Sequence, residues 1–156
     1  MAFHTVLSAS IQGLHVEMVH VEADVSNGLP VFHMVGYLSS EVKEASERVR
    51  TAIRNAGIQI PARKVVVNLA PATVRKKGAS FDLPIALAVM AALGEIEGEK
   101  LERTLVIGEL GLDGRVQEVP GILPMLLEAR KAGCRACILP IRNAPEGALV
   151  DGIRIL

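Results

Sequence analysis

A basic loop ahead of an apolar helix carries the residues best suited to chemistry. Gly78 and Ser80 lie in this loop, and a serine held at a tight turn can be a nucleophile when a base takes its proton. Cations beside a helix N-terminus suit phosphates. The predicted anion- or nucleic-acid-binding residues are the cations of the loop and of the preceding strand start: Arg63, Lys64, Arg75, Lys76 and Lys77. The plain alternatives are a solvated charged loop and a serine that packs or caps.

The loop must be positioned by the elements on either side of it. Residues 64–70 are β-branched and apolar, which predicts a buried strand. Residues 83–93 carry no charge on any face, which predicts a helix buried on all sides. Asp82 is placed to be its N-cap, and Gly94 is a natural stop. Any chemistry should therefore lie at the N-terminus of this central helix.

The N-terminal part predicts a β-meander. Apolar and polar side chains alternate in residues 3–11 and 14–25, and Gly13 lies at the turn between these two runs. This pattern is typical of a β-hairpin. Asn27-Gly28 is a strong turn signal leading into a third strand at 31–35. These signals predict three antiparallel strands.

The rest of the chain alternates helices and strands. Ser39 and Ser40 are candidate N-caps for an amphipathic helix that Gly57 ends, and Asp113-Gly114 predicts a second hairpin. Strands at 104–108 and 136–140 flank a helix over 122–132, which predicts parallel pairing. The predicted class is α+β, with a mixed α/β sheet and about three helices. A last strand, 153–156, ends the chain abruptly, which suggests a fragment of a longer protein.

Composition narrows the function classes. With 156 residues the chain fits one domain, and its 17 basic and 17 acidic residues balance, so global charge predicts no partner. It has neither a membrane-spanning run nor an export signal, and two cysteines in that context predict a cytoplasmic protein. Neither a Walker A motif nor a G-x-G-x-x-G occurs, so no nucleotide binding is expected within these residues.

Cys134 and Cys137 form a C-x-x-C pair. The pair follows a helix C-terminus rather than opening a helix, which argues against a redox pair, and a zinc site would need two more ligands. His15 and His20 point to opposite strand faces and do not supply them. We therefore expect no metal site and two small buried side chains.

Several of these motifs resemble the proteolytic domain of Lon proteases. Gly78-Ala79-Ser80 is similar to the segment that carries the nucleophile of its Ser–Lys dyad, and the run from Gly108 to Val116 is similar to its Gly-Glu hairpin. Pro120-Gly121-Ile122-Leu123 resembles its Gly-Gly-Leu-Lys helix start. In that register Ser80 keeps the nucleophile position, and Leu123 stands in place of the catalytic lysine.

A closer resemblance covers nearly all of the chain. Asn68-Leu69-Ala70-Pro71-Ala72 and Phe81-Asp82-Leu83-Pro84-Ile85-Ala86-Leu87 look like the N-terminal domain of magnesium-chelatase-like AAA ATPases of the ComM/YifB type. Phe32–Gly36 and Glu41–Arg50 resemble it too. The resemblance implies a Lon-protease-like fold of the ribosomal-protein-S5-domain-2 type over residues 1–156. It also implies an ATPase module beyond this chain, which would bind ATP and magnesium.

The resemblance implies a non-catalytic accessory domain. It would serve hexamer assembly or DNA contact in a ComM-type DNA helicase acting in branch migration, natural transformation and recombination. Two other classes stay open: a Ser-dependent peptidase with Ser80 as nucleophile, and a pure protein–protein scaffold. For the peptidase, Lys76 or Lys77 would have to replace the missing lysine, because Lys131 lies about two helical turns past Leu123.

Overall fold

The structure is a computed structural model that describes residues 2–156. The strands are β1 (Ala2–Gln12), β2 (His15–Ser26), β3 (Phe32–Val35), β4 (Lys64–Ala70), β5 (Thr104–Val106), β6 (Glu109–Leu110), β7 (Val116–Gln117), β8 (Ala136–Ile138) and β9 (Arg154–Ile155). The α-helices are α1 (Ser40–Lys43), α2 (Ala45–Asn55), α3 (Asp82–Leu93), α4 (Ile122–Lys131) and α5 (Ala144–Gly147). Two short 3-10 helices cover Gly98–Leu101 and Ile141–Asn143.

Seven strands form one mixed sheet, in the order β3-β4-β2-β1-β5-β8-β9. The pairs β1–β2 and β2–β4 are antiparallel, and the other four pairs are parallel. β6 and β7 form the predicted hairpin around Asp113-Gly114. The predicted mixed α/β class is confirmed, and so is parallel pairing of β5 with β8.

The predicted antiparallel meander is wrong at its third strand. β3 pairs parallel with β4, and β4 lies between β3 and β2. The reason is the apolar register of β2 with β4, in which Val21 faces Leu69 and Val25 faces Val65. Helices α1 and α2 form the crossover from β3 to β4, as a parallel pair requires.

Side-chain alternation divides the core between the two faces of the sheet. Val6 belongs to a cluster beneath α2 and α3, whereas Leu7 and Ala9 belong to a second cluster beneath α4. Successive residues of a strand point to opposite faces, so one sheet supports two cores. The predicted apolar face of β2 is confirmed in the first cluster, since Val19, Val21, Ala23 and Val25 are all buried there.

Helix α3 is buried as its composition predicts, and Gly94 ends it in the left-handed conformation. Asp82, however, is its first residue and does not cap it, so that prediction is wrong. The Asp82 carboxylate instead accepts hydrogen bonds from Arg48 and from the backbone N–H of Leu110. The predicted helix after Ser39 is divided at Glu44 into α1 and α2, with the Ser39 hydroxyl accepting from Val42 N–H as the expected cap.

Candidate functional site

Ser80 lies in a cleft between three parts of the chain. The cleft, of about 190 Å³, is lined by β1 at Ser10, by the loop before α3 and by the approach to α4 at Pro120. Gly108 N–H donates to the Ser80 carbonyl at 3.0 Å, and Leu83 N–H donates to the Gly108 carbonyl at 3.0 Å. The segment after β5 thereby holds the backbone of Ser80 against the start of α3.

The Ser80 hydroxyl is not hydrogen-bonded to a base in the described part of the chain. It makes no side-chain hydrogen bond there, and the titratable side chains that line the cleft with it are Lys77 and Glu109, neither of which bonds to it. Leu123 does not line this cleft but packs against the second core cluster. A serine nucleophile needs a base within about 3 Å of its oxygen. Within residues 2–156, no side chain makes the hydrogen bond to Ser80 that such a base would need.

Lys76 is not available for the anion contact that its sequence predicts. Its side chain is fully buried, and Nζ donates to the Pro71 carbonyl. Its backbone pairs with the segment before α1, with Lys76 N–H donating to Tyr37 and Ser39 N–H donating to the Lys76 carbonyl. Burial lowers the pKa of Lys76. Lys76 therefore stabilises the loop from inside, while Arg75 and Lys77 on either side of it are exposed.

The five predicted cations do not form one cluster. Lys64 begins β4, and Arg75 and Lys77 follow its far end. Seven residues of extended strand separate these ends by about 20 Å. Arg63 and Lys64 consequently lie at one edge of the domain, and Arg75 and Lys77 lie at the other.

Arg63 instead joins two arginines that the sequence prediction missed. Arg50 and Arg54 of α2 line, together with Arg63, a cleft of about 350 Å³ at the start of β3 and β4. The Arg50 guanidinium lies over the Phe32 ring, 5.8 Å from its centroid. The available signal was the four-residue spacing of Arg50 and Arg54, which places both on one helix face.

The cysteines are core residues, as predicted. Cys134 and Cys137 are free thiols, both buried in the second cluster. Burial, with a smaller contribution from Cys134, raises the pKa of Cys137 to about 12. In residues 2–156, no three His, Cys, Asp or Glu side chains are grouped to hold a metal ion. The same residues include no helix with the length and apolarity needed to cross a bilayer.

The sheet, the buried α3 and the serine cleft define the class of this protein as a Lon-protease-like α/β domain. Lon protease of Mycolicibacterium smegmatis is 28% identical over 145 residues, covering 88% of this chain and 18% of the relative. The family model for subunit ChlI of Mg-chelatase matches residues 21–143. The chain belongs to this magnesium-chelatase-like family.

Two further relatives cover almost the whole chain. The competence protein ComM of Haemophilus influenzae is 39% identical over 151 residues, which are 97% of this chain and 30% of ComM. The YifB protein of Escherichia coli K12 is 40% identical over 152 residues, again 97% of this chain and 30% of the relative. The chain thus spans about a third of the length of these curated relatives.

Proposed function

We propose that this chain is a non-catalytic accessory domain of a magnesium-chelatase-like AAA ATPase. In this role it serves assembly or DNA contact by binding rather than by chemistry. The observation that carries the proposal is Ser80, whose hydroxyl makes no hydrogen bond to a base in residues 2–156, although Lys77 and Glu109 line the same cleft. ATP and magnesium belong to an ATPase module of the full-length protein, which assembles as a hexamer. The relatives are about three times as long as this chain, which leaves room for such a module.

The DNA-contact part of the proposal draws on exposed cations and on the ComM relative. Lys64, Arg75 and Lys77 are exposed, so they can approach phosphates without unfolding any element. One relative is named competence protein ComM, and the DNA-contact proposal extends to this chain the helicase role that the resemblance to this family implies. A scaffold that binds only protein is the second candidate, and the balanced net charge favours it.

Two measurements on the purified chain test the proposal. We expect no labelling by a fluorophosphonate serine probe and no cleavage of casein, with Ser80→Ala indistinguishable from wild type in both assays. Labelling that Ser80→Ala abolishes would overturn the non-catalytic assignment. For DNA contact, we expect salt-dependent binding of labelled DNA that Arg75→Glu/Lys77→Glu weakens. Equal binding by that variant would remove these two residues from the DNA contact.

A further inference from the structure

The arginine cleft, defined by Arg50, Arg54 and Arg63, concentrates positive charge. None of the residues that line it is Asp or Glu. Within residues 2–156, neither Arg50 nor Arg54 forms a salt bridge, and both side chains are exposed. A cleft with charges of one sign and low-dielectric walls focuses its field on an ion of the opposite sign. The cleft therefore favours an anionic ligand.

The walls of the arginine cleft are apolar and partly planar. Phe32 lies beneath Arg50, and Pro30, Ile60 and Pro61 are among the other residues of the lining. A fully hydrated inorganic anion would gain nothing from such walls. A ligand with an anionic group and a flat apolar group would use both features at once. The volume of about 350 Å³ is at the lower end of small-ligand sites, and it limits the inserted group to one ring system.

We infer that the arginine cleft binds single-stranded nucleic acid, with phosphates on the guanidinium edges of Arg50 and Arg54 and one unpaired base stacked on the Arg50–Phe32 pair. Guanidinium groups bind phosphate through two parallel hydrogen bonds, and single-strand sites combine such cations with an aromatic ring on which a base stacks. A duplex keeps its bases paired and stacked, so it cannot place one in this cleft. The inference rests on the proposed DNA contact and adds a second site to it, with the strand form that this site prefers.

An acidic protein segment is the competing occupant. Carboxylates also pair with guanidinium groups, and an extended peptide could lie beside β3, which is an edge strand. The stacked Arg50 and Phe32 favour the nucleic acid, because a base can stack on this pair and a peptide carboxylate has no flat surface that can do so.

The test measures fluorescence anisotropy of fluorescein-labelled dT12 and of a 12-base-pair duplex, at two salt concentrations. We expect Arg50→Ala/Arg54→Ala to weaken dT12 binding at least about tenfold, as loss of charged hydrogen bonds implies. The slope of log K against log[salt] for dT12 should become less steep by about 1.4, because two single-strand phosphate contacts are lost. Duplex binding should change much less. The matched control is Arg135→Ala/Arg154→Ala, which removes two exposed cations at the opposite edge of the sheet and should keep the preference for the single strand.

Two further variants separate the phosphate from the base. Arg50→Lys/Arg54→Lys keeps the charge and the fold but loses bidentate geometry, so intermediate affinity is expected. Phe32→Leu should weaken dT12 about fivefold or more, but not a strand of abasic sites. Circular dichroism checks that each variant is folded.

Each other outcome has a distinct reading. If Arg50→Ala/Arg54→Ala binds dT12 within twofold of wild type, the cleft assignment fails while DNA contact elsewhere survives. If wild type binds neither DNA, both the cleft assignment and the DNA-contact proposal fail. Binding of labelled poly-glutamate that depends on Arg50 and Arg54, without DNA binding, would identify an acidic protein partner instead. The non-catalytic assignment is tested separately through Ser80.

Discussion

Arg48 and Asp82 form a two-point ion pair between α2 and the first residue of α3. Arg48 Nε lies 2.8 Å from Asp82 Oδ2, and Nη2 lies 3.0 Å from Oδ1. Asp82 is fully buried, and its Oδ2 also accepts from Leu110 N–H at 3.2 Å. Burial raises the pKa of Asp82, and the hydrogen bond from Arg48 opposes that rise. The pair joins three segments around the start of the helix that follows Ser80.

Loss of this buried pair should destabilise the fold strongly. We expect Asp82→Ala to lower the free energy of unfolding by about 3 kcal/mol, because it leaves the Arg48 charge partly buried without its partner. Urea unfolding followed by circular dichroism measures the change. The matched control is Glu97→Ala, which breaks the exposed pair with Lys100 and should cost about 0.5 kcal/mol or less. A loss below about 1 kcal/mol for Asp82→Ala would contradict the assigned role.

The stability of the chain should depend on the protonation of Lys76. Burial lowers the pKa of Lys76 below its ordinary value of 10.5. Between the lowered pKa and 10.5, the unfolded chain retains a proton that the folded chain has released, so the free energy of unfolding rises with pH. Lys76→Met should lack this rise. Urea midpoints between neutral pH and pH 10 test it, with Lys77→Met as the control for loss of one charge; parallel curves for wild type and Lys76→Met would refute the prediction.

The Cys137 thiol should be inert in the folded chain. A pKa of about 12 leaves very little thiolate at pH 8, and the side chain is fully buried. We expect its reaction with Ellman's reagent to be about a thousandfold slower than in urea-unfolded protein. A Cys134→Ser background isolates the signal of Cys137. Rapid modification of the native protein would show that the second core opens readily.

Gly36 should not accept a side chain. It adopts φ of +128°, and an added Cβ would lie 2.9 Å from the Leu69 carbonyl oxygen. Gly57 also has a positive φ, of +91°, but an added Cβ there meets nothing within 4 Å. Both Gly→Ala variants should lose about 1 kcal/mol from backbone strain. Gly36→Ala should lose at least about 1 kcal/mol more from the clash, measured by thermal and urea unfolding. Equal decreases in the free energy of unfolding for the two variants would mean that the backbone near Leu69 shifts and relieves the clash.

Local pattern in the sequence determined most of the elements. Alternation around Gly13 specified the β1–β2 hairpin, and an uncharged run specified the buried α3, because periodicity and turn chemistry act over a few residues. The same reasoning specified the β6–β7 hairpin and buried cysteines. The Gly78-Ala79-Ser80 motif indicates a Lon-like domain, and Asn68–Ala72 with Phe81–Leu87 indicates the magnesium-chelatase-like family, without any knowledge of contacts between distant segments.

Only the tertiary structure decided which distant segments meet. β4 displaced β3 from β2 because its longer apolar register matches β2 better, a comparison that no local signal contains. Lys76 became a core residue because its loop folds back on Pro71. The extended strand β4 separated Arg63 from Arg75, and the crossover through α2 brought Arg63 to Arg50. Arg63 and Arg75 are close in the basic stretch of the sequence but lie at opposite edges of the domain, because the strand between them is extended. Arg63 and Arg50 lie at the same cleft, because the crossover returns the chain to the start of β4.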